Sequence, residues 1–369
     1  QDSQGKGERL MRWMRMLLSV LFLCLCFSGC GYRELQERIL IQAIGVDQAR
    51  EGYQVTVRAA DPGEEGDEVF TCQGMSVLEA LSNLSLSTGR EPFYAHNYLV
   101  VFGRSCGEAG LDSAMDFFVR YYTTRPSVQV YLAAGEAEEI LDPDENPPSM
   151  ETLRRLNQGG EYTGKAASVD ILEFVNAAKR EESSPVLPVV GLDEGRPVLQ
   201  GTAIFKDYQL ADILTLEETR GYLALKGGLH QGELVVEGEK FGTVTLTISS
   251  CHTKREVTFQ EGLPVFKTVC QVTADVSSLS GERARLEESF IGWVGQAGEE
   301  TLEEEMAAAL EQSIFQDRCD IFGFGTLLYQ QSPKQWESIR DNWEGVLPQC
   351  QYPVEVKATV LRMEQGGLR

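Results

Sequence analysis

Histidine is scarce in this chain of 369 residues, with only three copies, at His96, His230 and His252. None of the nine cysteines forms a CxxC pair, although a structural zinc site draws its ligands from closely spaced pairs. These two shortages exclude a histidine-rich metal or acid–base site and argue against structural zinc.

Basic residues are also few. The chain has 33 Lys and Arg against 56 Asp and Glu, which gives a formal net charge of −23. An acidic surface repels phosphate backbones and anionic lipid headgroups alike. Nucleic-acid binding as the main function is therefore excluded.

No apolar run is long enough to cross a bilayer as a helix. The uncharged stretch 16–27 has twelve residues, whereas a spanning helix needs about 20. It follows two arginines and leads into Ser28-Gly29-Cys30, which is the layout of a secretory signal that ends in a lipoprotein cleavage site. We expect residues 1–29 to be a signal peptide and Cys30 to carry diacylglycerol, whose two acyl chains suffice for stable anchoring. A plain signal peptide or a core helix is the alternative.

Apolar periodicity predicts short strands and helices along the rest of the chain. Residues 39–46 and 53–58 are predicted strands, and Ser76 is the predicted N-cap of a helix. Strands and helices cluster instead of alternating, so we predict the α+β class, with three mixed α/β domains and predominantly antiparallel or mixed sheets. A proline-rich linker at 142–149 separates the first two of the predicted domains, which comprise residues 30–145, 149–228 and 229–369.

Two groups of residues are candidates for a partner interface. Arg120 and Arg125 flank residues 121–124 after a predicted helix, where cations are common as helix-dipole partners or can bind another protein. Trp336 and Trp343 are seven positions apart on one face of a helix predicted over about 333–344. Simple core packing is the alternative for the two tryptophans.

Three patterns suggest catalysis, each against a simpler explanation. Gly103-Arg-Ser105-Cys-Gly107 matches the G-x-S-x-G elbow of serine hydrolases, but glycines interrupt the helix that should follow Ser105, and only His230 or His252 could be the base. The many carboxylates invite a glycosidase hypothesis, yet they lie on predicted solvent faces or in linkers. Asp320–Gly325 superficially matches a kinase DFG segment, and we interpret it as a helix C-terminal turn in which glycine adopts a positive φ.

Several segments together resemble one family, the C subunit of spore nutrient-germinant receptors, often called Ger(x)C. In the family's order the matching segments are Cys30–Leu35, Ala43–Asp47, Gly52–Val57, His96–Gly103, Gly110–Leu111, Asp116–Arg120, Arg125, Ala134–Ala137, Ile140–Leu141, Gly201–Phe205, Glu218–Thr219, Asp320–Gly325, Trp336, Trp343 and Val354–Val360. Each segment is short, but their order over nearly the whole mature chain is specific.

The resemblance implies a lipoprotein on the outer, extracytoplasmic face of the spore inner membrane. Its implied partners are a polytopic A subunit and a transporter-like B subunit, and its implied role is nutrient-triggered germination. No catalytic residue is implied, and no cofactor is expected beyond the covalent lipid on Cys30. The alternatives are a solute-binding lipoprotein of a transporter, which should have two similar α/β lobes around a cleft, and more distantly the hydrolase that uses Ser105.

Disulfides remain open at this stage, because an exported protein can oxidise its thiols. Cys251 and Cys270 are on predicted strands that can neighbour one another, so they form one candidate bridge. The cysteines of the mature body are Cys72, Cys106, Cys251, Cys270, Cys319 and Cys350.

Overall fold

The computed structural model describes residues 13–16, 38–60, 67–120, 127–143, 148–280 and 288–363. Residues 13–16 are helical and belong to a unit that comprises residues 1–38, while the chain from Ile39 onward forms a second unit. Cys30, Arg125 and the predicted signal-peptide cleavage site lie outside the described residues. Within the described ranges, no helix is both long and apolar enough to span a membrane.

The strands of the second unit are β1 (Arg38–Gln48), β2 (Tyr53–Ala60), β3 (Asp67–Gly74), β4 (Glu91–Phe93), β5 (Leu99–Phe102), β6 (Gln129–Ala133), β7 (Val186–Asp193), β8 (Arg196–Lys206), β9 (Gln209–Leu214), β10 (Gly232–Gly238), β11 (Gly242–Gln260), β12 (Leu263–Leu279) and β13 (Val354–Met363). They form a nine-stranded sheet in the order β3-β2-β1-β5-β6-β7-β8-β9, with β4 paired to β1, and a four-stranded sheet in the order β10-β11-β12-β13.

The α-helices are α1 (Val77–Thr88), α2 (Arg104–Ala109), α3 (Asp112–Arg120), α4 (Ala137–Leu141), α5 (Met150–Arg154), α6 (Leu156–Thr163), α7 (Ile171–Ala178), α8 (Leu216–Lys226), α9 (Glu288–Leu310), α10 (Phe324–Gln331), α11 (Pro333–Ile339) and α12 (Trp343–Val346). A π-helical turn continues α9 over Glu311–Gln316, and 3-10 turns cover Arg340–Asn342 and Leu347–Gln349.

The centre of the nine-stranded sheet is parallel and covered on both faces. β1, β5, β6 and β7 run parallel, whereas the flanking strands pair antiparallel. All four residues of β5 are buried, and because successive side chains point to opposite faces, Val100 and Phe102 join one apolar cluster while Leu99 and Val101 join the other. The first cluster packs under α1, α3 and α7, and the second packs under α4 and α5.

The four-stranded sheet is built on a long antiparallel hairpin, β11 and β12, which β13 joins in parallel. Buried Val244, Leu246 and Ile248 alternate along β11 and face the core. On β13, the backbone N–H groups of Val356 and Ala358 donate to carboxylates of α9. These bonds occupy donors that an edge strand otherwise leaves open to pairing with another chain.

The predicted α+β class with mixed sheets is confirmed. The strands predicted at 39–46 and 53–58 are present, and Ser76 caps α1 by accepting from the Glu79 N–H (3.2 Å). The bounds of the three predicted domains stay a prediction; the nine-stranded sheet takes strands from both sides of the predicted linker at 142–149.

The single helix predicted over 333–344 is wrong. α11 ends at Ile339, a 3-10 turn follows, and α12 starts at Trp343. Asp341 and Asn342 occupy the break, and residues of these two types favour helix caps over helix interiors because their side chains compete for nearby backbone groups.

Candidate functional site

Two of the predicted interface residues belong to the core. Trp336 and Trp343 are both buried, and their rings meet edge to face with 5.4 Å between centroids. The Trp343 ring also contacts Phe266 at 6.2 Å between centroids. Core packing, the alternative stated above, therefore describes both side chains, and their role in a partner interface stays a prediction.

Arg120, in contrast to the two buried tryptophans, has a side chain that is mostly exposed to solvent. It ends α3, its side chain is 79% exposed, and its guanidinium pairs with Asp116 one turn earlier on the same helix. The preceding aromatic residues, Phe117 and Phe118, turn into the core. The segment Asp116–Arg120 thus anchors α3 with its aromatic residues and presents its arginine to solvent.

Asp47, in the segment Ala43–Asp47, is a buried carboxylate at the end of β1. It accepts hydrogen bonds from the backbone N–H groups of Ala137 (2.6 Å) and Glu138 (3.0 Å) at the start of α4. Burial raises the pKa of Asp47 to about 7, against the opposing effect of these two hydrogen bonds. A Cβ at Gly103 would overlap Oδ1 of Asp47, so glycine at this position makes room for the carboxylate.

Asp320, in the segment Asp320–Gly325, likewise accepts hydrogen bonds from the backbone at the start of a helix. It accepts from the N–H groups of Phe324 (3.0 Å) and Gly325 (2.7 Å), the first two residues of α10. Burial raises its pKa to about 6. The predicted positive φ is present at Gly323 (73°), but Gly323 precedes a helix instead of ending one.

A buried polar network joins the two sheets. Thr219 on α8 donates to Thr202 on β8 (3.1 Å). The next residue, Arg220, forms a two-pronged ion pair with Glu305 on α9 and donates to the Glu233 carbonyl oxygen of β10 (2.6 Å). The segments around Thr202 and Thr219 that carry the family resemblance therefore position the contact between α8 and α9.

Ser105 does not occupy a hydrolase-like elbow. It sits within α2, which runs through Gly107 and ends at Ala109 with Gly110 as its C-cap, so the helix is less interrupted than the glycines predicted. Its hydroxyl accepts from the backbone N–H of Gln48 at 3.4 Å. Among the described residues, no group of three His, Cys, Asp or Glu side chains is arranged to hold a metal ion.

An open cleft of about 590 Å³ lies between α6, α7 and α8. Glu173 and Phe174 line it from α7, and Tyr222 and Lys226 line it from α8. Lys226 donates to the Tyr222 hydroxyl (2.8 Å). The charge interaction with Tyr222, together with this hydrogen bond, raises the pKa of Lys226 against the opposing effect of burial. The cleft thus offers one ammonium group and one aromatic wall, and no sequence motif indicated it.

The six cysteines of the described residues are free thiols. Cys251 and Cys270 do lie on neighbouring strands, but Cys251 faces Val272 and Cys270 faces Thr253, so the two cysteines are diagonal neighbours. The adjacent Cys270 thiol, together with burial, raises the pKa of Cys251. A raised pKa keeps the sulfur protonated and slows thiolate chemistry.

Comparison with protein families gives two adjacent matches. The model described as the spore germination protein N-terminal domain matches residues 31–192, and the model described as spore germination B3/GerAC like, C-terminal, matches residues 200–364.

Individual relatives agree with these matches. The chain is 25% identical to spore germination protein KC of Bacillus subtilis, over 96% of this chain and 95% of the relative. It is 23% identical to spore germination protein A3 of the same organism, over 68% of this chain and 70% of the relative. Among solved structures, the crystal structure of the GerBC protein matches with a TM-score of 0.58 and 15% identity, over 86% of this chain and 96% of that chain, which shows a shared fold.

Proposed function

Because this chain belongs to the spore germination GerAC family, we propose that it is the lipid-anchored C subunit of a nutrient germinant receptor, needed for receptor assembly and for germination. The observation that carries the proposal is coverage: the two family matches, in order, account for residues 31–192 and 200–364.

The lipid anchor is proposed at Cys30. The first family match begins at residue 31, directly after the cysteine that a lipoprotein signal peptidase would leave at the N-terminus. Diacylglycerol on that thiol would hold the acidic body at the outer face of the spore inner membrane. An acidic body without a lysine-rich patch gains little from anionic headgroups, so the lipid has to supply the attachment.

The proposed partners are the membrane-embedded A and B subunits of the receptor. Arg120 is an exposed candidate for this contact, and Arg125 follows it closely in sequence. Trp336 and Trp343 would act indirectly, by holding the core beneath a contact surface. Substitution of each residue, with parallel assays of folding and of A and B subunit levels in spores, separates an interface role from a packing role.

The proposed subunit is non-catalytic. Ser105 accepts a backbone hydrogen bond, and the described residues pair it with no histidine. The solute-binding alternative expects two similar lobes around a cleft, whereas the two sheets differ in strand number and connection. Both observations favour the receptor subunit over the two alternatives.

The deciding experiment compares Cys30→Ala with Ser105→Ala in a spore former that lacks its own copy. We expect Cys30→Ala to abolish membrane retention or signal-peptide processing, because the thiol that would carry the lipid is gone. We expect spores that carry Ser105→Ala to germinate normally, because the Ser105 hydroxyl has no catalytic role in this proposal. Ester hydrolysis by the purified protein that disappears in Ser105→Ala would contradict the non-catalytic assignment, and normal processing together with normal membrane retention of Cys30→Ala would contradict the anchor.

A further inference from the structure

Three large apolar side chains are exposed on the helical layer that covers one face of the nine-stranded sheet. Leu86, Val119 and Leu172 have exposed fractions of 84%, 49% and 52%. They belong to α1, α3 and α7, which lie side by side because α1 contacts α3 and α3 contacts α7. We call these three side chains the apolar row.

Leu86 lies at the end of the sheet where β1 begins. Just beyond α1, Arg90 pairs with Glu68 at 3.0 Å. Glu68 faces Ala59 in the pairing of β2 with β3, and Ala59 faces Ile41 near the start of β1. The C-terminal turn of α1, which carries Leu86, is therefore close to this end of the sheet.

Val119 and Leu172 lie at the same end. Near the end of α3, the Phe117 ring meets the ring of Tyr94 with 5.3 Å between centroids, and the Tyr94 carbonyl oxygen accepts from the N–H of Asn97, two residues before β5. At the start of α7, the Ile171 N–H donates to the carbonyl oxygen of Val128, one residue before β6 (3.2 Å). Because β1, β5 and β6 are parallel, their starting residues share one edge of the sheet. The apolar row therefore follows the edge at which β1 starts.

The number of residues between Cys30 and β1 limits how far the lipid can be from this edge. Arg38, where β1 begins, is eight positions after Cys30, and a fully extended chain spans at most about 29 Å over eight positions. β1 itself extends roughly 33 Å from Arg38 to Gln48, at about 3.3 Å per residue. Suppose that β1 stood perpendicular to the membrane with its Gln48 end on the lipid. Arg38 would then be farther from the membrane than the chain between Cys30 and Arg38 can reach.

We propose that the apolar row faces the bilayer and enters its interfacial region, so that the nine-stranded sheet stands on the membrane with the start of β1 downward. This inference depends on the proposed lipid at Cys30. An acidic body is repelled by anionic headgroups, so apolar side chains are the groups that can make a favourable contact there. Arg120, beside Val119, then lies at the level of the headgroups.

The test uses the full lipidated chain, purified and reconstituted in vesicles of phosphatidylglycerol and phosphatidylethanolamine. The photocrosslinking residue p-benzoylphenylalanine replaces Leu86, Val119 or Leu172 in separate variants. Met75 is the matched control, because it is 67% exposed and directly follows Gly74, which pairs with Tyr53 at the opposite end of the sheet. Lipid adducts are counted by mass spectrometry after illumination.

We expect at least fivefold more lipid adduct at each position of the apolar row than at Met75. Equal or lower yields with an acylated Cys30 overturn the inference and leave the proposed function intact. If the intact mass shows no lipid on Cys30, the anchor and this inference both fail. Crosslinking of the row to the A or B subunit in spores, without lipid adducts, also overturns it and assigns the row to a protein contact.

Discussion

The two halves of the molecule use a buried aspartate in the same way but over different chain distances. In the nine-stranded sheet, Asp47 at the end of β1 accepts from the first two N–H groups of α4, about 90 residues away. In the other half, Asp320 accepts from the first two N–H groups of α10, four and five residues away. Asp47 therefore connects distant segments, while Asp320 shapes one turn.

The largest effect is expected for Asp320→Ala. It leaves two fully buried N–H groups without an acceptor, and each such donor costs about 1–3 kcal/mol, so we expect the free energy of unfolding to fall by about 4 kcal/mol. Urea unfolding, monitored by tryptophan fluorescence, measures this change in the free energy of unfolding. Asp341→Ala, at an exposed position, is the control and should change stability by less than about 0.5 kcal/mol.

Asp47→Ala should cost somewhat less, about 3 kcal/mol, because water can reach one of the two donors, the N–H of Glu138. The two substitutions should also destabilise different segments of the chain. Hydrogen exchange should quicken both in α4 and at the end of β1, whereas Asp320→Ala should affect α10 alone. Identical exchange patterns around the two sites would remove the distinction between a long-range and a local contact.

The pH dependence of stability should separate the two carboxyls further. Because the folded pKa values, about 7 and about 6, lie above the ordinary aspartate value of 3.8, the folded state binds more protons than the unfolded state between about pH 4 and pH 7. Their contribution to stability therefore falls as pH rises through that window. Asp47→Asn should reduce the loss of stability between pH 5 and pH 8 by about 2 kcal/mol, measured by urea unfolding at both pH values. An unchanged loss in this variant would mean that Asp47 titrates normally.

The smallest effect concerns the space that Asp47 occupies. Gly103→Ala should cost about 1 kcal/mol, because the new methyl group forces the carboxylate to move. In an Asp47→Ala background the same substitution should cost almost nothing. A double-mutant cycle measures this coupling, and additive costs would show that Gly103 is needed for another reason.

The sequence predicted local structure well and long-range contacts poorly. Strands β1 and β2 and the Ser76 cap follow from periodicity and capping rules, which act within a few residues. The partner of Asp47 is about 90 residues away, so no local pattern indicates it. The prediction of one helix over 333–344 was wrong for a local reason. The weak helix formers at 341 and 342 outweigh the apolar spacing of the tryptophans.

The buried ion pair of Arg220 with Glu305 was not predicted from the sequence. Glu305 stands in a run of glutamates that resembled a solvated face, yet it lies between buried Leu302 and Met306 at helical spacing. That position on the apolar stripe of α9 is the signal that could have identified it. The spacing of residues along the chain does not indicate that its partner is Arg220 on α8.

The parallel pairing of β13 with β12 has a consequence for the order in which the chain folds. β12 ends at Leu279, but its neighbour begins at Val354, close to the end of the described chain. During synthesis, one edge of the hairpin therefore stays open until about 75 more residues have been added to the chain. A stall in synthesis before Val354 would present that open edge to chaperones and proteases, so the hairpin is protected at this edge only after β13 has paired with β12.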